Sequence, residues 1–284
     1  MAEPPRTAVS FFPGCSAHGT GVEYAASARS VCAALGIDLL EIPDWSCCGS
    51  TSAHALDHDL GLALAARNLA IAEKAGLEEL VTPCPACFAR LRGAAAQIAS
   101  DGPPTSSPEV RGTVRVAHLL DLIAAPPRLA ALETRVGVDL GSLRVVPYYG
   151  CLAVRPPALT GCSDPENPTT MDTILGRVGA DVASWPWKTR CCGSSLALTR
   201  TEIVTELTTE IVAMARRAGA DIIVTACPLC FVNLDTRQSA KPRLPVMYFT
   251  ELLAIAMGLE GSRRSMKRHL ISPERVLADR GLLR

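Results

Sequence analysis

Aromatic residues make up only 4% of these 284 positions. That leaves too few rings for the base-stacking platforms of a single-strand nucleic-acid binder. Net charge is absent as well, with 28 basic side chains against 28 acidic ones, so no basic field or acidic tail marks an electrostatic partner of nucleic acid. No apolar run approaches the ~18–20 residues that span a bilayer. The longest, Val145–Val154 and Leu252–Leu259, have the length of a strand or a core helix. There is no Gly-x-Gly-x-x-Gly fingerprint and no ferredoxin-type cysteine run, which excludes flavin or nicotinamide binding in the usual way. The opening stretch MAEPPRTAVSFFPGC lacks a basic segment followed by an apolar one. The expected location is therefore the cytoplasm, where thiols stay reduced.

What is present is cysteine. Apolar residues at 48% and charged residues at 20% give an ordinary globular balance, sufficient for one large domain or two modest ones. Twelve cysteines stand out against it. In a reducing compartment they read as metal ligands before disulfides.

Ten of the twelve belong to an internal repeat. AVSFFPGCSA at 8–17 is echoed by RVVPYYGCLA at 144–153, DWSCCGS at 44–50 by WKTRCCGS at 187–194, and GLEELVTPCPAC at 76–87 by GADIIVTACPLC at 219–230. The sets are Cys15, Cys47, Cys48, Cys84, Cys87 and Cys151, Cys191, Cys192, Cys227, Cys230, with offsets between matching motifs of 136, 144 and 143 residues. A repeat of this length is the unit of the fold.

Periodicity supplies the elements. Val9–Phe12 and Val145–Tyr149 read as short buried strands. Ile203, Leu207, Ile211, Met214 and Ala218 form a helical stripe in the second copy, and Leu56, Leu60, Leu64 and Ile71 its counterpart in the first. Gly76 and Gly219 stand where those helices should stop. Val114–Ile123 and Leu244–Ala256 each read as strand then helix. The expected fold class is α/β: two pseudo-symmetric copies of a small, mainly parallel sheet flanked by helices. The Pro/Ser-rich segment 101–108 lies late in the first copy. Pro126 and Pro127 mark the expected boundary, giving one cysteine-rich domain at 1–125 and a second at 126–284.

Thiolate is the soft ligand of zinc and of iron–sulfur clusters. Each Cys-Pro-x-Cys pair puts two sulfurs on one tight turn, whose backbone Pro85 and Pro228 restrict. Adjacent cysteines in a strand point to opposite faces, so Cys47–Cys48 and Cys191–Cys192 need sharp bends, which Gly49 and Gly193 permit. The ligands then come from three loops at one end of each sheet. A closed zinc site takes four ligands and leaves the fifth cysteine without a role. Disulfides would have to be redox-active here, and inert cysteines would not recur twice in one order. Five sulfurs exceed what a regular four-iron cube requires, an excess that suits an opened or distorted cluster. Iron–sulfur is the leading reading, and a zinc-bound structural scaffold stays open as the alternative of another class.

Other candidates are weaker in pattern. Cys32, in SARSVCAALG, and Cys162 stand outside the repeat and read as structural. His18, three residues after Cys15, is a candidate catalytic residue that positions substrate or donates to a sulfur; a turn-stabilising role fits equally. His54 and His58 are four apart on an expected helix, with solvation or capping as the simpler role. Arg155, Lys188 and Arg190 flank the second set, either attracting an anionic thiol or as surface charge.

FPGCSAHGT, DWSCCG and TPCPAC in the first copy, with YYGCLAVRPP, DPENP, CCGSS and ACPLC in the second, closely resemble the cysteine-rich CCG domain family. Within it they resemble the HdrB family of heterodisulfide reductase subunits, over nearly the whole chain. The resemblance implies that the ten repeated cysteines ligate two noncubane [4Fe–4S] clusters facing a cleft. There a disulfide is reduced to two thiols, or the reverse. It also implies partners: a ferredoxin-like iron–sulfur subunit and a flavin-containing subunit that supply electrons. Two clusters would each deliver one electron to a reaction that needs two, and potential differences of ~30 mV, or ~1.4 kcal/mol, would set its direction. The rival within enzymes is the CCG-type electron-transfer subunit of a succinate/fumarate–quinone oxidoreductase. That role would want a membrane-contacting amphipathic helix, for which Leu252–Leu259 followed by Arg263, Arg264, Lys267 and Arg268 is the candidate.

Overall fold

The computed structural model describes residues 6–50, 53–107, 109–261 and 265–283. Two four-stranded sheets, parallel throughout, lie one in each half of the chain. The first has order β2-β1-β3-β4, built from β1 (Thr7–Phe11), β2 (Ile37–Glu41), β3 (Glu79–Thr82) and β4 (Arg115–His118). The second repeats it as β6-β5-β7-β8, from β5 (Arg144–Tyr148), β6 (Asp181–Val182), β7 (Ile222–Thr225) and β8 (Val246–Tyr248). Short Val/Ile-rich strands suit this arrangement because helices cover both faces; every residue of β3 and β7 is buried. The α/β reading and the two-copy parallel topology hold.

Helices α1 (Val22–Ala34), α2 (Ala53–Leu56), α3 (His58–Lys74), α4 (Pro85–Asp101) and α5 (Leu119–Ala124) follow in the first half, and α6 (Pro126–Glu133) starts at the expected boundary. The second half contributes α7 (Pro157–Thr160), α8 (Thr170–Arg177), α9 (Thr201–Arg217), α10 (Pro228–Thr236) and α11 (Phe249–Ala256). Gly76 and Gly219 end α3 and α9 with φ of +74° and +76°, the left-handed stop that the sequence signals.

The helical stripes differ from expectation. In α9 the buried line is Val204, Thr208, Ile211, Val212 and Ala215, one residue round from the expected face. Only Ile211 is common to both. In the first half Leu56 is 85% and Leu60 47% exposed, while α3 buries Gly61, Ala65, Ala66, Asn68 and Leu69. Small residues win there because α3 packs against α4, and close backbone approach fills the space that leucines would otherwise occupy.

The halves exchange helices. α1 packs on α11 across the halves, and its pseudo-equivalent α8 packs on α5. Val9, Tyr24, Val31, Leu35 and Ile37 of the first half therefore share one apolar core with Val146, Tyr148, Leu252 and Ile255 of the second. Burying such side chains contributes about 1.5–3 kcal/mol each, well above the ~0–1 kcal/mol of surface ion pairs such as Arg177–Glu133. Apolar contact joins the halves.

Candidate metal centres

Every repeated cysteine lies beyond the C-terminal end of a strand. Cys15 follows β1, Cys47 and Cys48 follow β2, and Cys84 and Cys87 follow β3; β5, β6 and β7 carry the second set likewise. The Cys-Pro-x-Cys pairs sit at helix N-termini rather than within isolated turns. Pro85 and Pro228 are the first residues of α4 and α10, the position where a missing N–H costs nothing. The helix dipole favours negative sulfur at that end. Gly49 and Gly193 take positive φ and let the paired cysteines turn inward.

Within each set, sulfurs of different loops touch. Cys48 Sγ is 3.3 Å from Cys87 Sγ, and Cys192 Sγ is 3.4 Å from Cys230 Sγ. Cys47 contacts Cys48, and Cys84 contacts Cys87; Cys151 contacts Cys191, and Cys227 contacts Cys230. Neighbouring thiols cannot all ionise, so they split. The bond from Cys47 holds Cys48 low and the bond from Cys87 holds Cys84 low, while Cys47 and Cys87 are pushed up by giving the proton. In the second set Cys191 and Cys192 are lowered by bonds from Cys151 and Cys230, whose own thiols are raised. Cys15 is electrostatically within reach of Cys47. Backbone amides aim at the sulfurs too: Gly49 N–H at Cys47 (3.4 Å), Gly193 N–H at Cys191 (3.3 Å) and Cys230 N–H at Cys227 (3.5 Å).

Two glycines keep the space open. A methyl group on Gly14 would stand 3.0 Å from Cys87 Sγ, and one on Gly150 would stand 2.8 Å from Cys230 Sγ. Cys15, Cys47 and Cys191 are exposed and Cys151 half-buried, while the other six are buried. The sites are thus deep at one side and open at the other. Among the described residues no three His, Cys, Asp or Glu side chains form a ready-made site for a single ion. Five soft donors with converging amides are the donor chemistry of an iron–sulfur group, and the residues fit it.

The two sets are neighbours. A methyl on Gly21 would touch Ser16 O, Pro228 Cβ and Tyr248 Oη, all at 3.4 Å, so the Cys15 turn and the Cys227 loop lie a few ångströms apart. Tyr24 Oη donates to Ala226 O at 3.1 Å and lies within the field of both Cys84 and Cys227. His118 accepts from Leu120 N–H at Nδ1 (3.2 Å), so Nε2 carries the proton and donates to Pro83 O at 3.1 Å. The Ala226 carbonyl lies near this ring. One imidazole thus sits against both the residue before Cys84 and the residue before Cys227. Burial pushes its pKa down to about 4, keeping it neutral. Neither Tyr24 nor His118 carries a sequence signal, because each acts on the other half.

The remaining candidates separate. His18 is exposed near Cys15, with Nε2 3.5 Å from Glu41 Oε1, beside the Trp45 ring. His54 and His58 do not share a helix: α2 ends at Leu56, and Asp57 caps α3 by accepting from Asp59 and Leu60 N–H. Lys188 is buried and held by Asp172 (2.6 Å) and Pro168 O (3.0 Å), which removes it as a substrate contact. Arg155 pairs with Glu166 at 2.5 Å. Arg190 sits over Trp187 and helps lower Cys191. Cys32 is buried in the core, its thiol raised by desolvation to about 12, as a structural cysteine should be; Cys162 is half-buried against the same core. Leu252, Leu253, Ala254, Ile255 and Ala256 are buried, so α11 is a core helix and not a membrane-contacting one. Arg263 and Arg264 lie outside the described residues.

Comparison with known proteins places this architecture. The family model for the cysteine-rich domain, CCG, matches twice, at residues 9–92 and 145–235. The chain belongs to the cysteine-rich CCG domain family. Among its relatives is the 8-methylmenaquinol:fumarate reductase membrane anchor subunit of Wolinella succinogenes, 32% identical over 94% of this chain and 98% of that one. Another is the HdrB subunit of the ferredoxin/F(420)H(2)-dependent CoB-CoM heterodisulfide reductase of Methanosarcina acetivorans, 26% identical over 86% and 87%. An HdrB-like heterodisulfide reductase protein of Archaeoglobus profundus is 26% identical over 88% and 90%. The resemblance to the HdrB family is therefore borne out. A crystal structure of a hypothetical protein from Helicobacter pylori shares the CCG chain's fold with a TM-score of 0.72 at 12% identity. It matches over 94% of this chain, which spans about half (52%) of that one. No helix among the described residues is long and apolar enough to cross a membrane.

Proposed function

We propose that this chain is the iron–sulfur subunit of a reductase complex, binding one noncubane [4Fe–4S] cluster in each five-cysteine set and exchanging electrons between a disulfide and two thiols. The observation that carries the reading is the convergence of the two sets. In each, sulfurs of the Cys-Cys-Gly and Cys-Pro-x-Cys loops touch, and Tyr24 lies within the field of Cys84 of one set and Cys227 of the other. When bound, the clusters would supply one electron each and open iron positions for product sulfurs. The chain's own residues do the rest. Gly14 and Gly150 keep the cradles open, and amide N–H groups offset negative charge on the sulfurs. His18, exposed three residues after Cys15, would orient a substrate sulfur or donate to it. Companion ferredoxin-like and flavin-containing subunits would provide the electrons.

A second reading has its own support. The Wolinella relative matches at higher identity than the HdrB relatives and acts, by its name, with a quinol and fumarate. In that role the chain would pass electrons between a quinol and its companion subunits, with membrane contact supplied by something other than α11.

Iron and sulfide analysis of anaerobically purified protein tests the cluster assignment: about eight of each per chain is the expected result. Two zinc ions without sulfide would replace it by the scaffold. Turnover of disulfides against quinol analogues by the complex purified from its host then decides between the two redox readings.

A further inference from the structure

The two sets share an order of residues but not their surroundings. In the first half, Asn68 of α3 holds the Cys-Cys-Gly loop through its backbone alone. It accepts from Ser46 N–H at 2.9 Å and donates to Ser46 O at 3.0 Å and Leu64 O at 2.9 Å. The second half has Ile211 at the matching place, 143 residues on, and holds its loop from another helix. Asn233, three residues after Cys230 on α10 and 1% exposed, donates from Nδ2 to Cys192 O at 3.2 Å. The same nitrogen lies 3.6 Å from Cys192 Sγ.

Arg237, one turn further on, fixes that amide. Its Nε donates to Asn233 Oδ1 at 3.2 Å, and its Nη2 to Ala197 O at 2.9 Å. A guanidinium only donates, so the amide oxygen must face it and the NH₂ must face the sulfur. The first half has Arg90 and Ala94 at these two places. Among the described residues, no side-chain amide reaches a sulfur of the first set.

We propose that Asn233, polarised by Arg237, makes the two sites unequal, raising the reduction potential of the second above that of the first. The second set is then the resting place of an electron shared between them. The inference rests on the iron–sulfur reading above. An N–H aimed at a ligand sulfur stabilises the negative charge gained on reduction, and buried in low dielectric it does so strongly. In the step concerned, one electron leaves the first site, which is oxidised by one, and reaches the second, which is reduced by one. No proton moves and no bond breaks. Asn233 is a positioning residue acting on Cys192.

The test is a redox titration of the full chain with dithionite and mediators, followed by electron paramagnetic resonance. The wild-type protein should show two midpoints. Asn233→Leu should lower only the upper one, cutting the preference of the electron for that site by roughly tenfold. Arg237→Gln should lower it less, and Asn233→Gln should restore part of it. Unchanged midpoints in a fully loaded Asn233→Leu protein, or movement of the lower midpoint alone, would overturn the proposal. Should Asn233→Leu lose iron, Arg237→Gln carries the comparison, because it leaves the amide in place. Iron and sulfide analysis of the wild type separates the two failures: absent clusters sink the functional reading, while present clusters with equal midpoints sink only this inference.

Discussion

Gly150 shows how little room the second site has. Its φ is +69°, and a Cβ there would stand 2.8 Å from Cys230 Sγ, closer than any real contact. Gly14, at φ 72° and ψ 166°, occupies a region that side-chain-bearing residues essentially never adopt. Gly150→Ala should lose the second cluster and Gly14→Ala the first, so each variant keeps about half the iron. Each substitution should also destabilise the fold by about 1–3 kcal/mol. Iron content after anaerobic purification checks this, and full loading of either variant would refute it. His118 gives a pH prediction. Its folded pKa of about 4 lies below the value near 6.5 expected in the unfolded chain. The unfolded chain therefore takes up the proton first as pH falls. The contribution is present above pH ~6.5 and is lost on the way down to pH ~4, by on the order of 3 kcal/mol at most. Denaturant unfolding at pH 7 and pH 5 should show a shallower pH dependence for His118→Gln than for the wild type.

The contact between α1 and α11 carries much of the joint between the halves. Tyr24 stacks on Tyr248 with ring centres 4.2 Å apart, and Tyr248 stacks on Phe231 at 4.3 Å. Ser27 Oγ meets Thr250 Oγ1 at 2.7 Å on the same face. Aromatic pairs of this geometry add about 0.5–1.5 kcal/mol beyond their buried area. Tyr24→Phe removes only the O–H that reaches Ala226 O, and should cost about 1 kcal/mol. Tyr24→Ala removes the stack as well and should cost about 3–5 kcal/mol. Comparing the two unfolding midpoints separates hydrogen bond from packing; equal losses would mean that the stack contributes nothing.

The whole molecule is bound by its shared core. Because α1 rests on α11 of the second half and α8 on α5 of the first, each half carries a helix that is covered in part by the other. We expect residues 1–125 and 126–284, made separately, to lack a cooperative thermal transition, and to regain it when produced together. Circular dichroism melts of the two pieces and of the pair check this. A sharp transition in either piece alone would show that the boundary at Pro126–Pro127 separates independent domains.

The sequence was enough for the ten cysteines, their division into two sets, the α/β class and the strands before Cys15 and Cys151, whereas β2 and β6, which precede the Cys-Cys-Gly loops, carried no such signal. A repeat with fixed spacing and short continuous apolar runs is a local signal, and local signals survive in one dimension. The buried faces of α3 and α9 were less legible, because several faces of each helix are apolar and the neighbouring helix selects one. The Cys-Pro-x-Cys pairs could have been read as helix starts from the proline alone. Tyr24, His118 and Asn233 were not legible as site residues. Tyr24 and His118 reach a cysteine loop of the opposite half, and Asn233 is aimed at sulfur by an arginine whose side chain no periodicity orients. Burial and hydrogen-bond geometry across 200 residues of chain, such as Tyr24 to Ala226, exist only once the halves have packed, since that packing alone removes the competing water.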